Sequence, residues 1–181
     1  MSNASVSNFL ANFRGGGARS NRYKVILTFP ASVPRGLDAA TKIGFTAKAA
    51  AIPSSSLGVI DVPYMGRQVK IPGDKVWADW NVTVLLDQDY QGRSVFEAWH
   101  NQILGFESNV ASAGMQDPAN AFARAKVQML DRNDRVVRTY DLEGIWPSEV
   151  GEVTIGYDQN DQIMEQQITF AVNGWASDVT T

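Results

Sequence analysis

The stretch VIDVPYMGRQVKIPGDKVWADWNVTVLL, Val59 to Leu86, decides how the rest of the chain is read. Val59 to Met65 and Arg67 to Ile71 predict a long β-ribbon, in which Val69 and Ile71 alternate with Gln68 and Lys70. Pro63 has no N–H for a central ladder, so this part of the ribbon belongs at an edge or a bulge. Gly73-Asp74-Lys75 reads as a turn. Beyond it Trp80, Val82, Val84 and Leu86 share one face, and Asn81 and Thr83 lie on the other. A ribbon of this length carries two edges and two faces that need cover, and a neighbouring copy in a closed assembly supplies such cover.

The flanking sequence continues in strands. Tyr23, Val25, Leu27 and Phe29 alternate with Lys24, Ile26 and Thr28 until Pro30 stops the run. Pro30 to Lys42 reads as a loop and Ile43 to Ala50 as a weaker strand. One clear helix is predicted over Tyr90 to Leu104, with Asp87 or Asp89 as its cap. Val95, Phe96, Trp99 and Ile103 fall at helical spacing and predict the stripe that packs on the sheet. Gly105 to Asn120 is expected to be loop with a short helix. Ala123 to Leu130, Val136 to Ile145, Val150 to Tyr157 and Ile163 to Trp175 read as strands, with turns at Asp131–Asp134 and Asp158–Asp161. The expected fold is mainly β, an antiparallel sandwich or barrel with one packed α-helix. Residues 1–20 read as an N-terminal arm with a helical touch at Phe9, Leu10 and Phe13, residues 21–176 as the β domain, and 177–181 as a tail.

Composition excludes much chemistry. The 181 residues contain no cysteine and a single histidine, His100. Disulfides, thiolate metal sites and cysteine nucleophiles are absent by composition, and multi-histidine zinc sites cannot be built. No metal, cofactor or catalytic residue is expected. Acids number 19 against 16 bases, a net charge of -3, which gives no support for a surface that captures nucleic acid. No signal-peptide pattern or apolar run of membrane-span length occurs, so cytoplasmic synthesis and no stable membrane association are expected. Gly15-Gly16-Gly17 lacks the preceding strand and following Lys-Ser/Thr of a phosphate loop. Asp87 and Asp89 lack the glycine and distal glutamate of a calcium loop.

Charge is unevenly distributed. Arg14, Arg19, Arg22 and Lys24 precede any acid, whereas Asp141, Glu143, Glu149, Glu152, Asp158, Asp161, Glu165 and Asp178 follow residue 139 without a lysine or arginine. Copies that stack would bring a basic arm to an acidic neighbour.

Tyr64-Met65-Gly66-Arg67-Gln68-Val69-Lys70-Ile71-Pro72-Gly73-Asp74-Lys75, followed by Trp77, Asp79-Trp80 and Val82-Thr83-Val84, resembles the tail tube proteins of contractile-tailed bacteriophages of the myovirus type. Leu142-Glu143-Gly144-Ile145-Trp146-Pro147-Ser148-Glu149-Val150-Gly151-Glu152 carries the same resemblance, as do the place of the helix with Phe96 and Trp99 and the Asp158–Asp161 turn. The likeness spans residues 20 to 176. It implies an Hcp-like tube fold: six copies form a ring, their sheets join into a continuous inner β-barrel, and rings stack into a tube. It further implies a sheath protein outside, a baseplate hub or tube initiator at one end, and a tail terminator and tape measure protein as partners. Double-stranded DNA would pass through the lumen without specific binding, and the protein would reside in the virion tail after synthesis in the host cytoplasm.

The resemblance also assigns expected roles. Met65, Arg67, Val69 and Ile71 lie on the tube-wall ribbon. Arg14, Arg19, Arg22 and Lys24 would meet Glu149 and Glu152 of an adjacent copy between rings. Arg93, Glu97, His100 and Asn101, on the polar face of the helix, would face the sheath. Three alternatives stay open: the tube of a type VI secretion or contractile injection system, a monomeric β-rich binding module, and an enzyme with convergent carboxylates.

Overall fold

The computed structural model describes residues 6–13 and 17–180. In chain order the elements are α1 (Val6–Asn12), β1 (Tyr23–Thr28), α2 (Gly36–Thr46), β2 (Ala47–Ala50), β3 (Ser55–Tyr64), β4 (Arg67–Trp77) and β5 (Trp80–Leu85). They continue with α3 (Gln91–Ile103), α4 (Pro118–Ala121), β6 (Ala123–Leu130), β7 (Val136–Val150) and β8 (Glu165–Ser177). Six strands form an antiparallel sheet in the order β1-β6-β7-β8-β5-β2, while β3 and β4 pair only with each other as a separate ribbon.

The core lies between one face of the sheet and the helices. Val25, Leu27, Trp80, Val82, Val84, Ala125, Val127, Ile168 and Phe170 face inward from the strands, and Val95, Phe96 and Trp99 meet them from α3. Ile103 is only partly buried at the margin. Phe29 joins α3 to the first strand, with ring centroids 5.6 Å from Phe96 and 5.4 Å from Trp99. Trp80 packs against Phe170 with ring centroids 5.4 Å apart and the planes tilted by 33°. Both buried indoles find acceptors: Trp80 Nε1 donates to the Ala51 carbonyl (2.8 Å) and Trp99 Nε1 to the Ala121 carbonyl (3.2 Å). Each pairing avoids the penalty of an unpartnered donor in an apolar interior.

The mainly antiparallel β class with a packed α3 is observed, and four local expectations are corrected. Residues 36–46 are helical, not loop and strand. Gly36, Ala39 and Ile43 are its buried positions, at helical spacing, and the β-branched Thr41, Ile43 and Thr46 disguise that spacing. Gly73-Asp74-Lys75 is not a turn. β4 runs straight through it, and the reversal is the two-residue loop Met65-Gly66, both at positive φ (44° and 77°). Two such residues in succession match a type I′ hairpin, which twists with its strands. Residues 151–164 form no strand, because β7 instead extends through Trp146-Pro147 to Val150. A register shift between Pro147 and Glu149 absorbs the proline, whose missing N–H a regular ladder does not tolerate. Finally, the cap residue of α3 is Tyr90, at φ 49° and without a side-chain cap bond. Asp87, which also accepts a backbone hydrogen bond from Gln91 in the first turn, and Asp89 hold Lys42 of α2, at 2.7 and 3.4 Å.

Candidate assembly surfaces

The ribbon is built to be covered. Directly opposed residues in an antiparallel pair share a face. One face of the ribbon therefore carries Ile60 opposite Ile71, Val62 opposite Val69, and Tyr64 opposite Arg67. The other carries Val59 opposite Pro72, Asp61 opposite Lys70, and Pro63 opposite Gln68. The first face is apolar and stands in solvent: Ile60 is 53% exposed, Val62 39%, Val69 49% and Ile71 46%. Met65 projects at the tip and is also exposed. Neither ribbon strand has a second neighbour among the described strands, so both outer edges are open. An isolated two-stranded hairpin is marginal in water, and a contiguous exposed apolar patch marks an interaction surface.

The base of the ribbon is anchored while its outer part projects. Gly58 and Gly73 face each other at a register shift between Leu57 and Val59. Below that point Lys75 lies over the rings of Trp77 and Trp175, at 5.3 and 5.5 Å from their centroids. Trp175 Nε1 donates to the Ser54 carbonyl (3.2 Å), and Ala78 N–H bonds the same oxygen at 3.1 Å. These contacts fasten β4 and the start of β3 to β8.

The face of the six-stranded sheet turned away from the core is polar and pairs its own charges. Lys126 Nζ meets Asp141 at 2.8 Å and Arg124 meets Glu143 at 3.8 Å. Asn81 Oδ1 accepts from Thr169 Oγ1 (2.9 Å) and Gln167 Nε2 (3.3 Å). The result is a wall of amides, hydroxyls and ions, paired across β6 and β7 and, among the described residues, unpaired at Lys24 on β1.

Arg93, Glu97, His100 and Asn101 come together as sequence spacing on one helix face requires. They line a groove of about 510 Å³ with Leu104, Phe106 and Val150. Arg93 Nε bonds Glu97 (2.5 Å), and its Nη1 reaches the Gly151 carbonyl (3.3 Å), which also accepts from buried Gln166 (3.3 Å). His100 Nε2 lies 2.8 Å from the Pro147 carbonyl. A carbonyl only accepts, so Nε2 carries the proton. The apolar members Leu104, Phe106 and Val150 were not anticipated. The sequence signal for them was weak, because Phe106 stands alone in a loop.

The basic arm divides. Arg14 lies outside the described residues. Arg22 is held by its own chain, with Nη1 2.6 Å from Asp134. Arg19 and Lys24 are exposed and form no ion pair among the described residues, and the same is true of Glu149 and Glu152. Among the described residues no group of three potential metal-ligating side chains converges, and no helix is long and apolar enough to cross a membrane.

Comparison with known proteins places these surfaces in context. A family model described as "Phage tail tube protein" matches residues 18–177. The tail tube protein of Serratia phage KSP90 is 33% identical over 154 residues, which is 84% of this chain and 85% of that protein. The tail tube protein gp19 of Enterobacteria phage T4 is 31% identical over 132 residues, 72% of this chain and 79% of that one. Among solved structures, a chain of the anti-feeding prophage baseplate superimposes with a TM-score of 0.64 at 13% identity, over 89% of this chain and 95% of that one. A chain of the sheath-tube complex of an extracellular contractile injection system does so at 0.61 and 13%, over 96% and 97%. At such identity the structural likeness speaks for the fold.

Proposed function

The chain belongs to the phage tail tube protein family, a component of the virion, and from that premise we propose that six copies close into a ring and rings stack into the tube of a contractile tail. The observation that carries the assembly is the ribbon face formed by Ile60, Val62, Val69 and Ile71, which its own chain leaves uncovered. Burying aliphatic side chains of this size is worth about 1.5–3 kcal/mol each when complete. Repetition around a ring multiplies that gain. The ribbon strand with Met65, Arg67, Val69 and Ile71 is then the tube wall, its apolar face against a neighbouring copy and its Asp61–Lys70 face toward water.

The lumen reading follows from the polar sheet face. Attraction to DNA rises with each lysine or arginine free to meet a phosphate. A wall whose cations are mostly paired, as Lys126 is with Asp141 and Arg124 with Glu143 while Lys24 is not among the described residues, holds a polyanion less than a wall of free cations does. Double-stranded DNA is accordingly cargo. The role is structural and not catalytic. Arg93, Glu97, His100 and Asn101, with the apolar groove beside them, are the surface for the sheath. The hub or initiator, terminator and tape measure protein meet the tube at its ends or in its lumen. Arg19 and Lys24 reach toward Glu149 and Glu152 between rings, joined by Arg14. Residues 1–20 act as an arm on a tube-forming domain of 21–176, with 177–181 as a tail, and synthesis takes place in the host cytoplasm.

Sedimentation velocity of the purified protein over a wide concentration range tests the reading. Hexamers or larger stacks that dissociate on dilution are expected. A monomer at every concentration, with or without preformed tube ends, would overturn it.

A further inference from the structure

A second uncovered pair of surfaces lies at the other end of the chain. Val6, Phe9, Leu10 and Phe13 recur at i, i+3, i+4 and i+7, so α1 and the residue after it present one apolar stripe. All four side chains are exposed, no residue of α1 is buried, and Phe9 and Phe13 stack on each other at 5.2 Å. A helix of seven residues does not hold itself together in water. Its stripe needs a surface.

That surface lies between β1 and α2. A groove of about 1060 Å³ runs there, with Ile26 and Phe29 on the strand side and Leu37, Ala40, Gly44 and Phe45 on the helix side. Leu37 and Phe45 are almost fully exposed, at 87% and 88%. The helix closes on the strand at Gly44, where a Cβ would stand 3.4 Å from the Val25 carbonyl oxygen. A seven-residue helix is about 10 Å long, short enough to lie in a groove of this size. α1 carries no charge, and the groove's own Lys24, Arg35 and Asp38 are exposed, so docking strips no ion of water on the arm side.

We propose that α1 of one copy docks its Val6-Phe9-Leu10-Phe13 stripe into the β1–α2 groove of a second copy. The inference rests on the tube reading, because it requires a neighbour. Nine residues separate Phe13 from Tyr23, and such a length of chain spans at most about 35 Å, enough to leave one small domain and reach the next. Each copy then gives one arm and receives another. This is a head-to-tail contact, the kind that closes rings and propagates stacks.

The chain has no cysteine, so introduced thiols report contacts on a clean background. Full-length Leu10→Cys protein is mixed with mass-tagged Thr41→Cys protein under mild oxidation, and with Asn133→Cys protein, on the β6–β7 turn, as control. Docking raises the local concentration of the two thiols, and about a tenfold excess of the Leu10–Thr41 disulfide between unlike chains over the control is expected. No excess overturns the docking. A chain carrying both substitutions that closes only on itself overturns the assignment to a second copy. Rings are scored in the same samples by electron microscopy. Rings without the cross-link remove the docking and leave the tube reading intact; cross-linked chains without rings, alone and with preformed tube ends, support the docking and remove the tube reading.

Discussion

Gly58 and Gly73 lie back to back where the ribbon changes register: a Cβ on Gly73 would sit 3.2 Å from both the carbonyl carbon and oxygen of Gly58. A side chain at Gly73 would have to push the Gly58 backbone aside by a few tenths of an ångström, whereas one at Gly58 would meet ordinary contact distances of 3.4 Å or more. The contact separates a base fastened to β8 from an outer part that belongs to the assembly. Gly73→Val is therefore expected to re-aim the outer ribbon while leaving the core untouched. Its thermal stability should stay within about 1 kcal/mol of the parent, and its tube formation should be lost. Calorimetry and electron microscopy of one preparation check both halves.

The apolar ribbon face makes a graded prediction. Val69→Ser removes one aliphatic group from the proposed contact and adds a hydroxyl to it. Covering a valine is worth roughly 1.5 kcal/mol, so the critical concentration for assembly should rise roughly tenfold. Gln68→Ser, on the opposite face, should leave it nearly unchanged. Light scattering against protein concentration compares the two.

Core and assembly should separate under mutation. Phe96 is fully buried and contacts Phe29 and Phe170. Phe96→Ala should cost about 3–5 kcal/mol through lost burial and the cavity left behind. It should lower the denaturation midpoint even in dilute, unassembled protein, unlike any ribbon substitution.

The Lys42–Asp87 contact fastens α2 to the start of α3 and depends on pH. The Lys42 ammonium holds the Asp87 carboxyl below its ordinary value of 3.8, and Asp87 in turn raises Lys42 above 10.5. The carboxylate's contribution is complete above 3.8 and fades as pH falls through the depressed folded value. The lysine's contribution is complete below 10.5 and fades as pH rises through the raised one. Asp87→Asn should thus melt below the parent at pH 7, and the gap should close at strongly acid pH. Thermal unfolding by circular dichroism at both pH values checks the sign.

The proposed pairing between rings is electrostatic. Glu149→Lys combined with Glu152→Lys should raise the concentration needed for tube growth at low salt. The difference should shrink as salt screens exposed charges over about 10 Å at 0.1 M. Individual exposed pairs contribute about 0–1 kcal/mol, so only repetition around the ring makes the effect visible.

Strands with one buried face were legible because alternation records burial directly. Trp80-Asn81-Val82-Thr83-Val84 and Val25-Ile26-Leu27 show inside and outside in turn, and the stripe of α3 does the same at its own period. α2 was not legible, since Ala39 and Ile43 are few and small signals among β-branched neighbours. The two ribbon strands were legible on either side of Gly66, but the extra turn at Gly73-Asp74 was not real: that pair has turn chemistry, whereas the reversal places Met65, a residue without local hydrogen-bonding capacity, at positive φ. The pairing of Ile60 with Ile71 and Val62 with Val69, on which the apolar face depends, follows from register, which alternation within one strand does not record. Residues 151–164 carry Val153 and Ile155 in alternation, yet without a paired neighbour the pattern makes no strand. The groove near α3 was half legible, its four polar members from one helix face, its apolar members from elements brought together only by the fold.

The central claim is that this chain builds a hollow tube by covering its ribbon with a neighbouring copy. Electron microscopy of the concentrated protein, alone and with preformed tube ends, tests it most directly. Six-fold rings or tubes with a lumen wide enough for double-stranded DNA are predicted. Small monomeric particles under both conditions would contradict the account.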